Sequence, residues 1–117
     1  MRPTVLIVDD HADFRASART MLEIEGFAVV GEAADGGAAV VAMDALAPDI
    51  VLLDIQLPGE DGFAVAERLA ALRRPSAVVL ISSREASAYG PRLRRAPARG
   101  FIPKRALSGA ELARLVA

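Results

Sequence analysis

Short β-branched runs alternate with segments of helical periodicity along the whole chain, and this alternation constrains the fold more than any other feature. Thr4–Val8, a run of β-branched and apolar residues, and Ile50–Leu53, apolar throughout, suit strands buried on both faces. Phe27–Gly31 reads as a second strand, Ala77–Ile81 as a fourth and Gly100–Ile102 as a short fifth. Between them, Phe14, Ala18, Met21 and Leu22 form one stripe of a helix over residues 12–25, closed by Gly26. Ala38–Ala47 reads as a second helix stopped by Pro48. Residues 62–73 read as a third, with Val65, Ala66, Leu69 and Leu72 inward. Ser108 and Glu111 have capping-box spacing, and Leu107 with Leu112 can close a hydrophobic staple around the start of the last helix. Gly90, Pro91 and Pro97 interrupt residues 84–99, so the fourth helix is expected to be short or irregular.

Strands that alternate with helices pair in parallel through right-handed crossovers, with helices on both faces of the sheet. The expected class is therefore α/β, a doubly wound five-stranded parallel sheet. Its 117 residues suit one domain, taken as 1–117. The absence of cysteine excludes disulfide scaffolds, thiol nucleophiles and cysteine-ligated zinc, and makes the cytoplasm the expected compartment. No stretch has the length of a membrane span, and the run Val5–Val8 is too short for a signal peptide.

The net charge of −1 conceals a segregation. Residues 1–67 carry 13 acids against Arg2, Arg15 and Arg19, whereas residues 68–117 carry 11 bases against Glu85 and Glu111. The arginines at 84, 92, 94, 95 and 99 lack interleaved aromatics beyond Tyr89. They read as a solvated face offsetting the acidic half, or as a docking surface for an acidic partner, and not as a nucleic-acid interface. Of the 14 basic residues only Lys104 is lysine.

Ligands of open parallel sheets lie beyond the carboxyl ends of the strands, so the residues immediately after each apolar run are the candidates for a site. Asp9 and Asp10 come after the first run, Asp54 after the third, Ser82 and Ser83 after the fourth, and Lys104 after the fifth. Three clustered carboxylates repel and raise one another's pKa unless a cation intervenes. Oxygen ligands without a histidine cluster suit Mg²⁺ with several retained waters. A carboxylate beside a metal is a competent nucleophile toward phosphorus. Metal and ammonium together can share the charge of the transferring group. Asp54, alone at the middle of the presumed sheet edge, is the best nucleophile candidate. The paired acids Asp9 and Asp10 read as metal ligands in preference to a helix N-cap, and His11 as an exposed first-turn residue.

The segments VDDH (8–11), LLDIQLPGEDG (52–62), ISS (81–83) and GFIPK (100–104) together resemble the receiver domain of bacterial two-component response regulators over essentially the whole chain. The resemblance implies the flavodoxin-like strand order 2-1-3-4-5. It implies phosphorylation at Asp54, with Mg²⁺ held by Asp9, Asp10, Asp54 and the backbone carbonyl of Gln56. Ser82 matches the hydroxyl that turns toward the phosphoryl group, Lys104 the lysine that pairs with its oxygens, and Phe101 an aromatic that changes rotamer. The implied donor is a sensor histidine kinase, with small acyl phosphates as substitutes, and the protein is expected to act as a switch and not as a turnover enzyme. The downstream protein partner and any homodimer stay open. Arg105 stands where many members have proline, and GFIPK is more similar to receivers joined to helix-turn-helix domains. Two alternatives are a phosphorylation-independent interaction module and the excised receiver of a DNA-binding regulator. A phosphatase of similar fold fits less well, because Gln56 replaces its second aspartate.

Overall fold

The computed structural model describes residues 2–117. Its elements are β1 (Thr4–Val8), α1 (Ala12–Ile24), β2 (Ala28–Ala33), α2 (Gly36–Leu46), β3 (Ile50–Asp54), α3 (Gly62–Ala71), β4 (Ala77–Ser82), α4 (Pro91–Arg95), β5 (Gly100–Pro103) and α5 (Gly109–Val116). The strands form one parallel sheet in the order β2-β1-β3-β4-β5.

Alternation along the strands divides the core in two. Leu6, Val8, Val51, Leu53, Val78 and Leu80 enter one cluster with Ala39, Met43, Val65, Ala66 and Leu69 of α2 and α3. Val5, Ile7, Ile50, Leu52, Val79 and Ile81 enter the other with Ala18, Leu22 and Leu112 of α1 and α5. Each central strand buries both faces, which is why Val5–Val8, Ile50–Leu53 and Ala77–Ile81 carry no polar residue.

Helix ends obey local chemistry. Asp35, Asp61 and Ser108 cap α2, α3 and α5, accepting from the N–H groups of Ala38, Ala64 and Glu111. Half of the expected capping box at α5 forms: the Glu111 carboxylate pairs with Arg114. Leu107 and Leu112 do share a cluster. Helix α2 starts two residues earlier than the expected Ala38 and ends at Leu46. Its cap, Ala47, takes the left-handed conformation (φ 44°) common where helices end, and Pro48 keeps the helix from continuing. Strand β2 extends past Gly31 to Ala33, with a register shift opposite Val5/Leu6. The expected weakness of 84–99 takes a definite form: a 3₁₀ turn at Ala86–Ala88, then α4 as little more than one turn.

Among the described residues no helix is long and apolar enough to cross a membrane. The charge segregation is partly closed by ion pairs between the two halves, Arg68–Glu60, Arg74–Asp44 and Arg92–Asp61.

Candidate functional site

Register brings the strand ends together. Val8 lies opposite Leu53, so Asp9 comes level with Asp54. Asp54 lies opposite Ile81, and Ile81 opposite Ile102, two residues before Lys104. Asp9 and Asp54 continue the alternation of Ile7 and Leu52, and therefore stand on the α1/α5 side of the sheet. Ser82 continues that of Leu80, toward α3 and α4.

Asp9 and Ser82 are wholly buried and Asp54 is 1% exposed. The Lys104 ammonium lies 2.6 Å from Asp9 Oδ2 and 3.4 Å from Asp54 Oδ2. It also sits over the Phe14 ring, 4.4 Å from the centroid. Asp9 Oδ1 accepts the His11 N–H at 2.8 Å. Asp9 Oδ2 is buried without a well-directed hydrogen bond, so the ammonium balances its charge without saturating its lone pairs. Asp54 Oδ1 accepts the Gln56 N–H at 3.2 Å. Burial, with Asp9 close by, pushes the Asp54 carboxyl above the usual carboxylate range, against the opposing pull of the Gln56 amide and Lys104.

Asp10 is exposed at the rim. Asp9, Asp10, His11 and Asp54 offer ligand atoms that all lie within 4.8 Å of one another. Two buried carboxylates sharing one ammonium, with an acid at the water boundary and an unsaturated buried oxygen, fit a hard cation that keeps part of its water shell. His11 is closer to this cluster than its sequence position suggested: it caps α1 without a side-chain bond, and its Nδ1 lies 3.0 Å from Asp9 and 3.3 Å from Asp10.

The loop after β3 is held by a close approach at Gly62. Its N–H donates to the Ile55 carbonyl at 2.6 Å. A Cβ there would stand 2.4 Å from the Asp54 carbonyl oxygen and 2.5 Å from Ile55 Cα. Only glycine lets α3 start against the end of β3 in this way. Gln56 and Ser83 are exposed beside the cluster.

Ser82 is placed at the edge of the cluster and bonded away from it. Its Oγ lies 2.6 Å from the Tyr89 hydroxyl and accepts the Arg84 N–H at 3.0 Å. The Tyr89 ring stands edge-on to Phe63 at 5.7 Å and to Phe101 at 6.1 Å. Arg92 covers Phe63, 4.2 Å from its centroid, and donates to Asp61. Sequence reasoning missed Phe14 beneath Lys104, Tyr89 against Ser82, and Arg15, whose guanidinium holds the Asp9 carbonyl. Phe14 carried only a helix-stripe signal, and Tyr89 lay in the segment without periodicity.

A parallel α/β sheet with acids, a hydroxyl and a lysine gathered at its carboxyl edge defines a flavodoxin-like domain. The sequence matches the response regulator receiver domain family over residues 5–116, and the chain belongs to that family. It is 32% identical over 100 residues to the DNA-binding transcriptional activator EvgA of Escherichia coli, covering 86% of this chain and 49% of EvgA. It is 36% identical over 100 residues to BvgA of Bordetella pertussis, covering 86% and 48%. The chain thus spans about half the length of these curated relatives. Among solved structures it is similar to the signal receiver domain of NarL from Mycobacterium tuberculosis, with TM-score 0.85, 34% identity and coverage of 97% and 96%. A LuxR-family two-component response regulator from Aurantimonas sp. SI85-9A1 matches with TM-score 0.85, 30% identity and coverage of 97% and 81%. The protein is a receiver domain of two-component signal transduction, a class that receives phosphoryl groups from histidine kinases and is not a turnover enzyme in the ordinary sense.

Proposed function

We propose that residues 1–117 form one receiver domain in which Asp54 is the phosphoacceptor. Mg²⁺ would be held by Asp9, Asp10, Asp54 and the backbone carbonyl of Gln56, and when bound would share the negative charge of the transferring group. The observation that carries this reading is the buried Asp9–Asp54 pair, which has one ammonium between its two carboxylates and an Asp9 oxygen left without a hydrogen bond.

A carboxylate oxygen of Asp54 forms a bond to phosphorus as the P–N bond to the kinase's histidine breaks, and the imidazole leaves. Small acyl phosphates substitute as donors. The phosphoryl group adds nearly two negative charges. Lys104 then pairs with its oxygens, and Ser82 turns toward it. This biases a pre-existing equilibrium in the surface around Phe101. The same site catalyses phosphorylation of Asp54 and the subsequent loss of the group, within the reducing cytoplasm that a cysteine-free chain tolerates. In that loss water attacks phosphorus, inorganic phosphate leaves and the Asp54 carboxylate is regenerated.

EvgA is a DNA-binding activator about twice this length, which supports a transcriptional output for this receiver, exerted through protein contacts and not by direct binding of this domain to DNA. Incubation with Mg²⁺ and acetyl phosphate, with intact mass measurement afterwards, tests the chemistry. One added phosphoryl group that requires Mg²⁺ is expected; no gain of mass contradicts the proposal.

A further inference from the structure

Among the described residues Ser82 is the one buried hydroxyl at the sheet edge, and its present partners are on the side away from the acids. Its Oγ accepts the Arg84 N–H and meets the Tyr89 phenol at 2.6 Å. It makes no hydrogen bond to Asp54 or Lys104. Strand alternation sets Ser82 on the α3/α4 side and Asp54 on the other. A serine hydroxyl moves about a single side-chain torsion. It therefore cannot lie against Tyr89 and against a phosphoryl group on Asp54 at once, whichever oxygen donates to the other.

We infer that Tyr89 is a positioning residue for phosphoryl transfer: its phenol competes with the phosphoryl group for the Ser82 hydroxyl, so that phosphorylation of Asp54 releases Tyr89. This rests on the phosphoacceptor reading of Asp54. The released ring is the one that bridges Phe63 of α3 and Phe101 of β5. Phe63 in turn carries Arg92 of α4 on its face. Loss of the Ser82 bond thus loosens the contact between α3, α4 and β5 at a helix of only five residues. Because the competition opposes phosphorylation, removing the phenol favours the phosphorylated geometry.

The chain has one tyrosine and no tryptophan, so its tyrosine emission reports Tyr89 alone. Wild type is titrated with beryllofluoride in Mg²⁺, a non-covalent phosphoryl mimic, with binding measured by calorimetry and emission by fluorescence. Emission is expected to change in step with binding, and in Ser82→Ala it is expected to begin near the released value. Tyr89→Phe keeps the ring and both edge contacts. It should bind the mimic about five-fold more tightly, since one hydrogen bond of ordinary net strength no longer has to be broken. Ser82→Ala/Tyr89→Phe should bind as Ser82→Ala does. A merely structural bond would give equal or weaker binding in Tyr89→Phe, and that result overturns the inference, as does unchanged wild-type emission at saturation. Absence of mimic binding altogether refutes the phosphoacceptor reading and this inference with it. Unchanged affinity in Tyr89→Phe refutes this inference alone.

Discussion

Lys104→Met separates the charge of the site from its packing. The thioether chain keeps most of the side-chain length and removes the ammonium that lies over Phe14 and between Asp9 and Asp54. At 2.6 Å and 3.4 Å, with an effective dielectric constant of about 20, the two attractions amount to roughly 6 and 5 kcal/mol before desolvation is counted. Burying the ammonium offsets much of that. Removing one partner of a buried pair costs about 3–5 kcal/mol net. Uptake of one proton can relieve the remaining repulsion, which limits the cost at pH 7.5 to about 5 kcal/mol for an ordinary carboxyl.

The sign of the pH dependence comes from Asp54. Its folded pKa is already raised by burial and by Asp9, and the variant loses the Lys104 contribution that lowers it. The folded state then binds a proton more readily than the unfolded state. The variant's stability therefore falls as pH rises from the ordinary carboxylate pKa through the raised one. Urea unfolding of both proteins in chelator, monitored by circular dichroism, reads the difference. We expect a gap of about 3–5 kcal/mol at pH 7.5, or roughly 12–20 °C in Tm. It should shrink by up to about 1.4 kcal/mol per pH unit on acidification. An equal gap at pH 7.5 and 5.5 would assign the loss to side-chain packing and the Phe14 contact, and refute the argument from the Asp9–Asp54 pair.

Gly62→Ala drives a Cβ into the Asp54 carbonyl and Ile55; it should lower stability by about 1–3 kcal/mol and slow acetyl phosphate labelling, whereas unchanged labelling would show that the loop does not position Asp54. Asp61→Ala removes the α3 cap and the Arg92 partner, costing about 1 kcal/mol at neutral pH. The Ala64 N–H and Arg92 hold the Asp61 carboxyl below its usual range. That cost should therefore fade as pH drops through the lowered pKa, and a cost independent of pH would contradict it. Mg²⁺ should raise the Tm of wild type by binding the folded state only. Asp10→Asn should lose most of that rise, and an undiminished rise would remove Asp10 from the metal site.

Legible and concealed features of the sequence divide along physical lines. The buried stretches of strands covered on both faces are apolar, so Asp9, Asp54 and Ser82 were conspicuous as the polar groups that end them. Register in a parallel sheet then placed Asp9 level with Asp54. Lys104 stood out as the lone lysine among 13 arginines. Contacts between elements left no such trace. Phe14 reads as one more apolar residue of a helix stripe, although its ring faces the Lys104 ammonium. Tyr89 sits between a 3₁₀ turn and a one-turn helix, where no periodicity points its side chain anywhere. His11 could not be placed against Asp9 and Asp10 from spacing, because the turn into α1 decides it. The Glu111 half of the capping box was displaced by Arg114, a competitor three residues away that the motif does not consider.

The central claim is that Asp54, and no other carboxylate, takes the phosphoryl group. Protein labelled with acetyl phosphate and Mg²⁺ is treated with borohydride, which reduces an aspartyl phosphate to homoserine, and its peptides are then sequenced by mass spectrometry. The account predicts homoserine at position 54 alone, and none in Asp54→Asn. Reduction at Asp9 or Asp10, or undiminished labelling of Asp54→Asn, would contradict it.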